Sequence, residues 1–166
     1  MALGERAIVQ LRPMSEAEFD SYMRQAVPSY AQAHIEAGDV DPGEALARAQ
    51  ADYDALLPEG LRTRDQYLWT IADDAHEAVG MMWFEVRERE RGRSAYIFDI
   101  AIREDRRRRG YARIAMSLLE ERLNAMSIGR VSLNVFGNNH AARTLYEAMG
   151  YRVTGIGMTK VLARTA

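Results

Sequence analysis

With 166 residues, a mass of 18.8 kDa, 48% hydrophobic and 28% charged residues, the chain fits one globular domain spanning 1–166. A chain of that size buries roughly 70% of its unfolded surface, enough for a real core. There is no cysteine, which excludes disulfides, thiolate metal sites and a cysteine nucleophile. The formal net charge of -2 gives no general reason to bind nucleic acid or an anionic membrane. No apolar run nears the roughly 20 residues that span a bilayer and no secretory pattern is visible, so a cytoplasmic protein is expected.

Ala7 to Leu11 reads as a first strand, closed by Arg12-Pro13. Ser15 with Glu18 makes a capping-box pattern, and Phe19, Tyr22, Met23, Ala26, Tyr30 and Ala33 follow at helical spacing. Pro28 should kink or divide that helix. Asp41 is expected to cap a second helix with Pro42 at its first position, carrying Ala45, Leu46, Ala49, Tyr53, Leu56 and Leu57 until Pro58-Glu59-Gly60 stops it. Tyr67–Ala72 and Ala78–Glu88 read as an antiparallel hairpin, and the charge-alternating run Arg87–Arg93 as a solvated hairpin tip. Tyr96–Ile102 is a nearly unbroken apolar run, suited to a strand covered on both faces. Ile114, Ala115, Leu118, Leu119, Leu123 and Met126 then mark a helix, followed by a turn at Met126–Gly129. Arg130–Phe136 reads as a strand with Val131, Leu133 and Val135 on one face. A short helix carries Ala142, Leu145, Tyr146 and Met149, Gly150 fits its left-handed C-cap, and Tyr151–Ala163 should supply the last strands. The order β-α-α-β-β-β-α-β-α-β describes a mixed α/β sandwich.

The most informative stretch is the strand, basic loop and helix start from Tyr96 to Arg113. A helix start exposes unpaired N–H groups and partial positive charge, which suits an anion such as a phosphate. Gly110 lets a ligand approach the backbone closely, and Ala112 keeps the next turn open. Arg107, Arg108, Arg109 and Arg113 add guanidinium forks that fit phosphate oxygens.

Arg107-Arg108-Arg109-Gly110-Tyr111-Ala112 resembles the Arg/Gln-x-x-Gly-x-Gly/Ala signature of GCN5-related N-acetyltransferases (GNAT). Asn139, Ala142, Tyr146, Gly150 and Tyr151 are similar to that family's C-terminal signature, and the element order matches as well. The resemblance is weakest from Met14 to Leu57, where the family varies with substrate. It implies a three-layer sandwich whose central mixed, mostly antiparallel sheet is flanked by helices. It also implies acetyl-CoA as acyl donor, no metal, and direct transfer in a ternary complex to a primary amine of a small molecule or peptide. By the resemblance, Arg107, Arg108, Arg109, Gly110, Tyr111, Ala112 and Arg113 would hold the pyrophosphate. Ile100, Ala101 and Ile102 would offer backbone groups to the pantetheine and the developing oxyanion, Asn139 would contact the pantetheine arm, and Tyr146 would reprotonate the thiolate.

From spacing alone, Tyr146 is equally a core aromatic of an amphipathic helix. Asp99, among apolar neighbours, needs a partner or a shifted pKa; it is either a structural acceptor or a general base, direct or through water. Glu85 on the neighbouring strand is the competing base. His34, His76 and His140 lack metal-ligand spacing; His34 follows Tyr30 by four residues, so the two should meet. The acidic residues Glu36, Asp39 and Asp41 could favour a cationic acceptor or serve solubility alone. The alternatives are a non-catalytic acyl-CoA-binding module and, for Arg106–Arg109, a nucleic-acid patch or a plain solvated loop. No nucleic-acid or membrane partner is expected; a homodimer is possible.

Overall fold

In the computed structural model, which describes residues 8–90, 92–160 and 162, the elements are β1 (Gln10–Pro13), α1 (Glu16–Ala37), α2 (Ala45–Leu56), β2 (Gln66–Ala72), β3 (Ala78–Arg89), β4 (Gly92–Ile102), α3 (Tyr111–Ala125), β5 (Val131–Leu133) and α4 (His140–Ala148). One sheet takes the strands in chain order; β1 to β4 pair antiparallel and β5 joins β4 in parallel. Each face carries its own core. On one side Phe84, Ile97, Met116, Leu119 and Leu123 pack under α3, with Tyr146 and Met149 of α4 at the margin. On the other, Trp83 and Leu68 meet Val27 and Ala31 of α1 and Ala49 and Tyr53 of α2. The result is the three-layer mixed α/β sandwich with a mostly antiparallel sheet that the resemblance implied.

Local chemistry explains most of the boundaries. The Ser15 hydroxyl accepts from the Glu18 N–H, and the Glu18 carboxylate accepts from the Ser15 N–H at 2.9 Å. Glu18 also takes two bonds from the Arg12 guanidinium, at 2.8 and 2.6 Å. Gly38, at φ 76°, closes α1 in the left-handed region. Pro28 does not divide the helix. Its missing donor leaves the Arg24 carbonyl without an intrahelical bond, but both residues face solvent. Val27 and Ala31, 3% and 5% exposed, anchor the helix on the opposite face and offset a cost of about 3 kcal/mol.

Other expectations shift. β1 runs through Arg12-Pro13 instead of closing before them, as an edge strand tolerates; Ala7 lies outside the described residues. Asp41 organises the entry to α2, accepting from the Gly43 N–H at 2.8 Å through its side chain and from Ala45 through its carbonyl. Residues 42–44 form a turn, however, so Pro42 is not the first helical residue. β5 is only three residues long, and Val135 and Phe136 are 36% and 40% exposed. Among the described residues from Tyr151 onward there is no strand, which corrects the expected last strands at Tyr151–Ala163.

Candidate active site

β4 was expected to be covered on both faces, and its edge toward β5 is divided in two. β5 pairs only with Ala95, Tyr96 and Ile97. From Phe98 to Ile102 no described strand lies on that edge, and Ala101 is exposed. At the same point β4 bulges: Trp83 opposes Asp99 while Phe84 opposes Ile97, leaving Phe98 as the extra residue. The bulge shifts the alternation. Ala95 and Ile97 face the α3 side, and beyond the bulge Ile100 and Ile102 do. Phe98 stacks on Trp83 at 4.4 Å on the α1–α2 side, and its neighbour Asp99 turns the same way to accept from the Tyr22 hydroxyl of α1 at 3.1 Å.

Asp99 is thus a largely buried carboxylate with two donors, Tyr22 O–H and the Ile100 N–H. Burial pushes its pKa up, and the two hydrogen bonds oppose that only in part. Tyr22 is pushed strongly up by burial and then by the Asp99 charge. Tyr146, on α4, is pushed up to about 12, first by burial and next by the Asp99 charge. Tyr146 therefore keeps its proton at neutral pH. Glu85 sits on the same face of the sheet, but its carboxylate accepts from Arg87 Nε at 2.6 Å. The Arg87 guanidinium covers the Tyr96 ring at 4.5 Å, so this ion pair forms part of the wall.

Beyond β4 the chain makes one 3-10 turn at Glu104–Arg106, then passes through left-handed geometry at Arg108 (φ 64°) and Gly110 (φ 83°) before α3 begins. Gly110 caps α3 without a side-chain bond. Among the described residues, none accepts from the N–H groups of Arg108 to Arg113. Successive free N–H groups in such a turn, at the positive end of a helix, form an anion cradle. A β-carbon added at Gly110 would meet nothing within 4 Å, so the space before the cradle is open. The arginines divide by role. Arg106 binds Glu77 at 2.6 Å and Asp73 at 3.4 Å, tying the loop to the β2–β3 turn. Arg107 donates through Nε to the Ile102 carbonyl at 3.0 Å. Arg108, Arg109 and Arg113 are exposed, with no carboxylate partner among the described residues. Tyr111 is 8% exposed and belongs to the core, so only its backbone can face a ligand; Ala112 is half-buried.

On α4, the Asn139 side-chain oxygen caps the helix by accepting from the Ala142 N–H at 3.2 Å, leaving its amide N–H groups for other partners. Tyr146 lies 5.7 Å from the Tyr151 ring. On the α1–α2 side, Tyr53 meets Trp83 at 5.4 Å and Tyr30 at 5.8 Å. Tyr30 and His34 meet at 4.4 Å as their spacing predicts, and Phe136, leaving β5, meets His34 at 5.6 Å. An aromatic wall therefore leads to Asp99.

Three features had no sequence signal: the bulge, the Tyr22–Asp99 bond across 77 positions, and Gly80. A β-carbon at Gly80 would collide with the Ala101 carbonyl oxygen and come within 2.8 Å of Ile102 Cδ1. Gly80 therefore permits the close approach of β3 to the end of β4.

The geometry is thus a strand edge that opens beside a Gly-capped anion cradle, with the half-buried Asp99 carboxylate at the bulge. The sequence profile of the Acetyltransferase (GNAT) family matches residues 27–151, and the chain belongs to that family. It is 33% identical over 154 residues to the uncharacterized N-acetyltransferase YycN of Bacillus subtilis (strain 168), covering 93% of this chain and 99% of that protein. It is 31% identical to the uncharacterized N-acetyltransferase YdgE of the same organism, over 92% of this chain and 97% of that protein. The crystal structure of B. subtilis YycN superposes with a TM-score of 0.89, covering 95% of this chain and 100% of that one. A GCN5-related N-acetyltransferase from Ralstonia eutropha JMP134 shares the fold, with a TM-score of 0.68 at 17% identity over 93% of this chain and 99% of that one.

Proposed function

We propose that the protein is an acetyl-CoA-dependent N-acetyltransferase acting directly on a primary amine of a small molecule or peptide. The observation that carries the reading is the anion cradle at the left-handed, Gly110-capped start of α3, which follows directly on the stretch of β4 that β5 leaves unpaired. Acetyl-CoA would supply an acetyl group activated as a thioester. The N–H groups from Arg108 to Arg113 and the guanidinium groups of Arg108, Arg109 and Arg113 suit its diphosphate. The backbone of Ile100 to Ile102 suits the arm, with the Asn139 amide opposite.

Asp99 is the better base, because Glu85 is held by Arg87. An alkylammonium group has a pKa near 10 (about, for a free lysine). Raising Asp99 above the usual carboxylate range narrows the gap across which its oxygens must take that proton, directly or through water. The Tyr146 hydroxyl, protonated at neutral pH, can deliver a proton to a departing sulfur. Tyr22 fixes the Asp99 carboxylate, and Tyr53 and Trp83, buried behind it, exclude water from that side. A cytoplasmic setting accords with use of acetyl-CoA.

The test is release of CoA thiol from acetyl-CoA across a panel of small aliphatic amines, polyamines, aminoglycosides and peptides. Turnover of at least one class, lost in Tyr146→Phe with acetyl-CoA affinity retained, is expected. Tight acetyl-CoA binding without turnover of any amine class would replace this reading with that of a binding module.

A further inference from the structure

The Glu85–Arg87 pair is held more firmly than an ordinary surface ion pair, yet part of its bonding capacity is unspent. Phe84 and Val86 of β3 turn to the α3 core, so Trp83, Glu85 and Arg87 share the opposite, α1–α2 face. Arg87 donates through Nε to one Glu85 oxygen at 2.6 Å. Its guanidinium lies over two rings of β4, with Cζ 4.5 Å from the Tyr96 centroid and 5.7 Å from that of Phe98. The two side chains keep 30% and 24% of their surface, so both are fixed and both can be reached. Among the described residues, nothing accepts from either Arg87 Nη and nothing donates to the second Glu85 oxygen. The pair therefore presents a rigid donor fork beside a carboxylate acceptor.

Asp99 stands nearby on the same face. Trp83 opposes Asp99, and Glu85 opposes Tyr96. Two β3 residues, about 7 Å of strand rise, thus separate the Asp99 row from the ring under the guanidinium. The floor between them is Phe98 and Tyr96, half-buried rings that meet edge to face at 4.9 Å. Such a floor suits methylene groups, with polar groups at either end. Two carboxylates and one guanidinium leave the set with one net negative charge. Free lysine carries the complement, two ammonium groups and one carboxylate, and its terminal nitrogen stands about 7 Å from its carboxylate carbon when extended.

We infer that the acceptor is a free diamino acid of lysine's length, its head held by Glu85 and Arg87 and its terminal amine placed at Asp99. The fate of that amine rests on the acetyltransferase reading. The α-carboxylate takes the Arg87 Nη edge, the α-ammonium donates to the second Glu85 oxygen, and the methylenes cross Tyr96 and Phe98. Glu85 and Arg87 are then specificity residues, which gives a use to a carboxylate on this wall that is not the base. A lysine within a peptide lacks both head charges and leaves these groups unpaired, so it is disfavoured.

Three amines separate the contacts. Cadaverine keeps two amines and lacks the carboxylate, whereas ε-aminocaproate keeps the carboxylate and lacks the α-amine. Lysine should exceed each in kcat/KM by about 10- to 100-fold, the scale of a charge-assisted hydrogen bond. Arg87→Met should collapse the lysine-to-cadaverine ratio, and Glu85→Gln the lysine-to-aminocaproate ratio. Each ratio is taken within one preparation, so loss of folded protein does not move it. Equal use of lysine and cadaverine, or ratios that survive the substitutions, would overturn the inference and leave acetyl transfer standing. Absence of turnover with any amine would instead overturn the transfer reading, and calorimetric titration with lysine then decides the head site by itself. Lysine that binds the wild type and not Arg87→Met sustains it; lysine that binds both alike, or neither, overturns it.

Discussion

Tyr22→Phe isolates one interaction in the site. The substitution keeps the ring, which lies 6.5 Å from that of Tyr53, and removes only the hydroxyl that donates to Asp99 at 3.1 Å. A hydrogen bond to an ionised group in a buried setting is worth about 1.5–3 kcal/mol. At 1.36 kcal/mol for each pH unit, Asp99 should rise by about one to two units. If Asp99 takes the proton from the acceptor, the acidic limb of the kcat/KM–pH profile moves up by the same amount. Below that limb the rate falls about 10- to 100-fold, and acetyl-CoA affinity stays unchanged. Stability gives the sign independently. The hydroxyl favours the charged carboxylate, so the variant loses about 1.5–3 kcal/mol above the raised Asp99 pKa and less as the pH falls through it. An acidic limb that stays in place while stability drops as described would refute the assignment of Asp99 as base and leave it a structural acceptor.

Tyr146→Phe should lower kcat about 100-fold, the scale of a lost general acid, with no change in the calorimetric Kd for acetyl-CoA. Gly80→Ala drives a β-carbon into the Ala101 carbonyl; it should cost about 1–3 kcal/mol in denaturant melts and raise KM for acetyl-CoA through the displaced end of β4. Glu18 is held at about 2, chiefly by the Arg12 hydrogen bond, so its contribution is complete above its ordinary pKa of about 4.5 and is lost as pH falls toward 2. Glu18→Gln should cost about 1 kcal/mol at pH 7, after allowance for solvent screening of the pair, and should flatten chemical-denaturation stability between those limits.

Features set by neighbours in sequence were legible in the chain. The Ser15–Glu18 capping box, the switch from loop to helix at Gly110, and the α3 stripe Ala115, Leu119 and Leu123 all depend on contacts within a turn or two. The resemblance anticipated the order of the elements as far as α4. Pro28 does not divide α1, because its cost is local while its compensation, Val27 and Ala31 against α2, is tertiary. The bulge at Phe98 was hidden because an apolar run has no alternation to break, and that one inserted residue decides which way Asp99 points. Tyr22 read as one more helix-face aromatic; its partner lies 77 positions away. The tail read as the last strands, and among the described residues from Tyr151 onward none forms.

The proposed function seats acetyl-CoA on the Gly110 cradle. The most direct measurement is calorimetric titration of the full chain with acetyl-CoA, beside Gly110→Glu and Gly110→Asn. Asparagine tolerates the left-handed backbone at Gly110, whereas glutamate adds strain and a negative charge before the free N–H groups. Micromolar binding by the wild type, weakened modestly by asparagine and abolished by glutamate in a chain that circular dichroism shows to be folded, is the expected result. A folded wild type that does not bind acetyl-CoA, or binding that glutamate leaves intact, would contradict it.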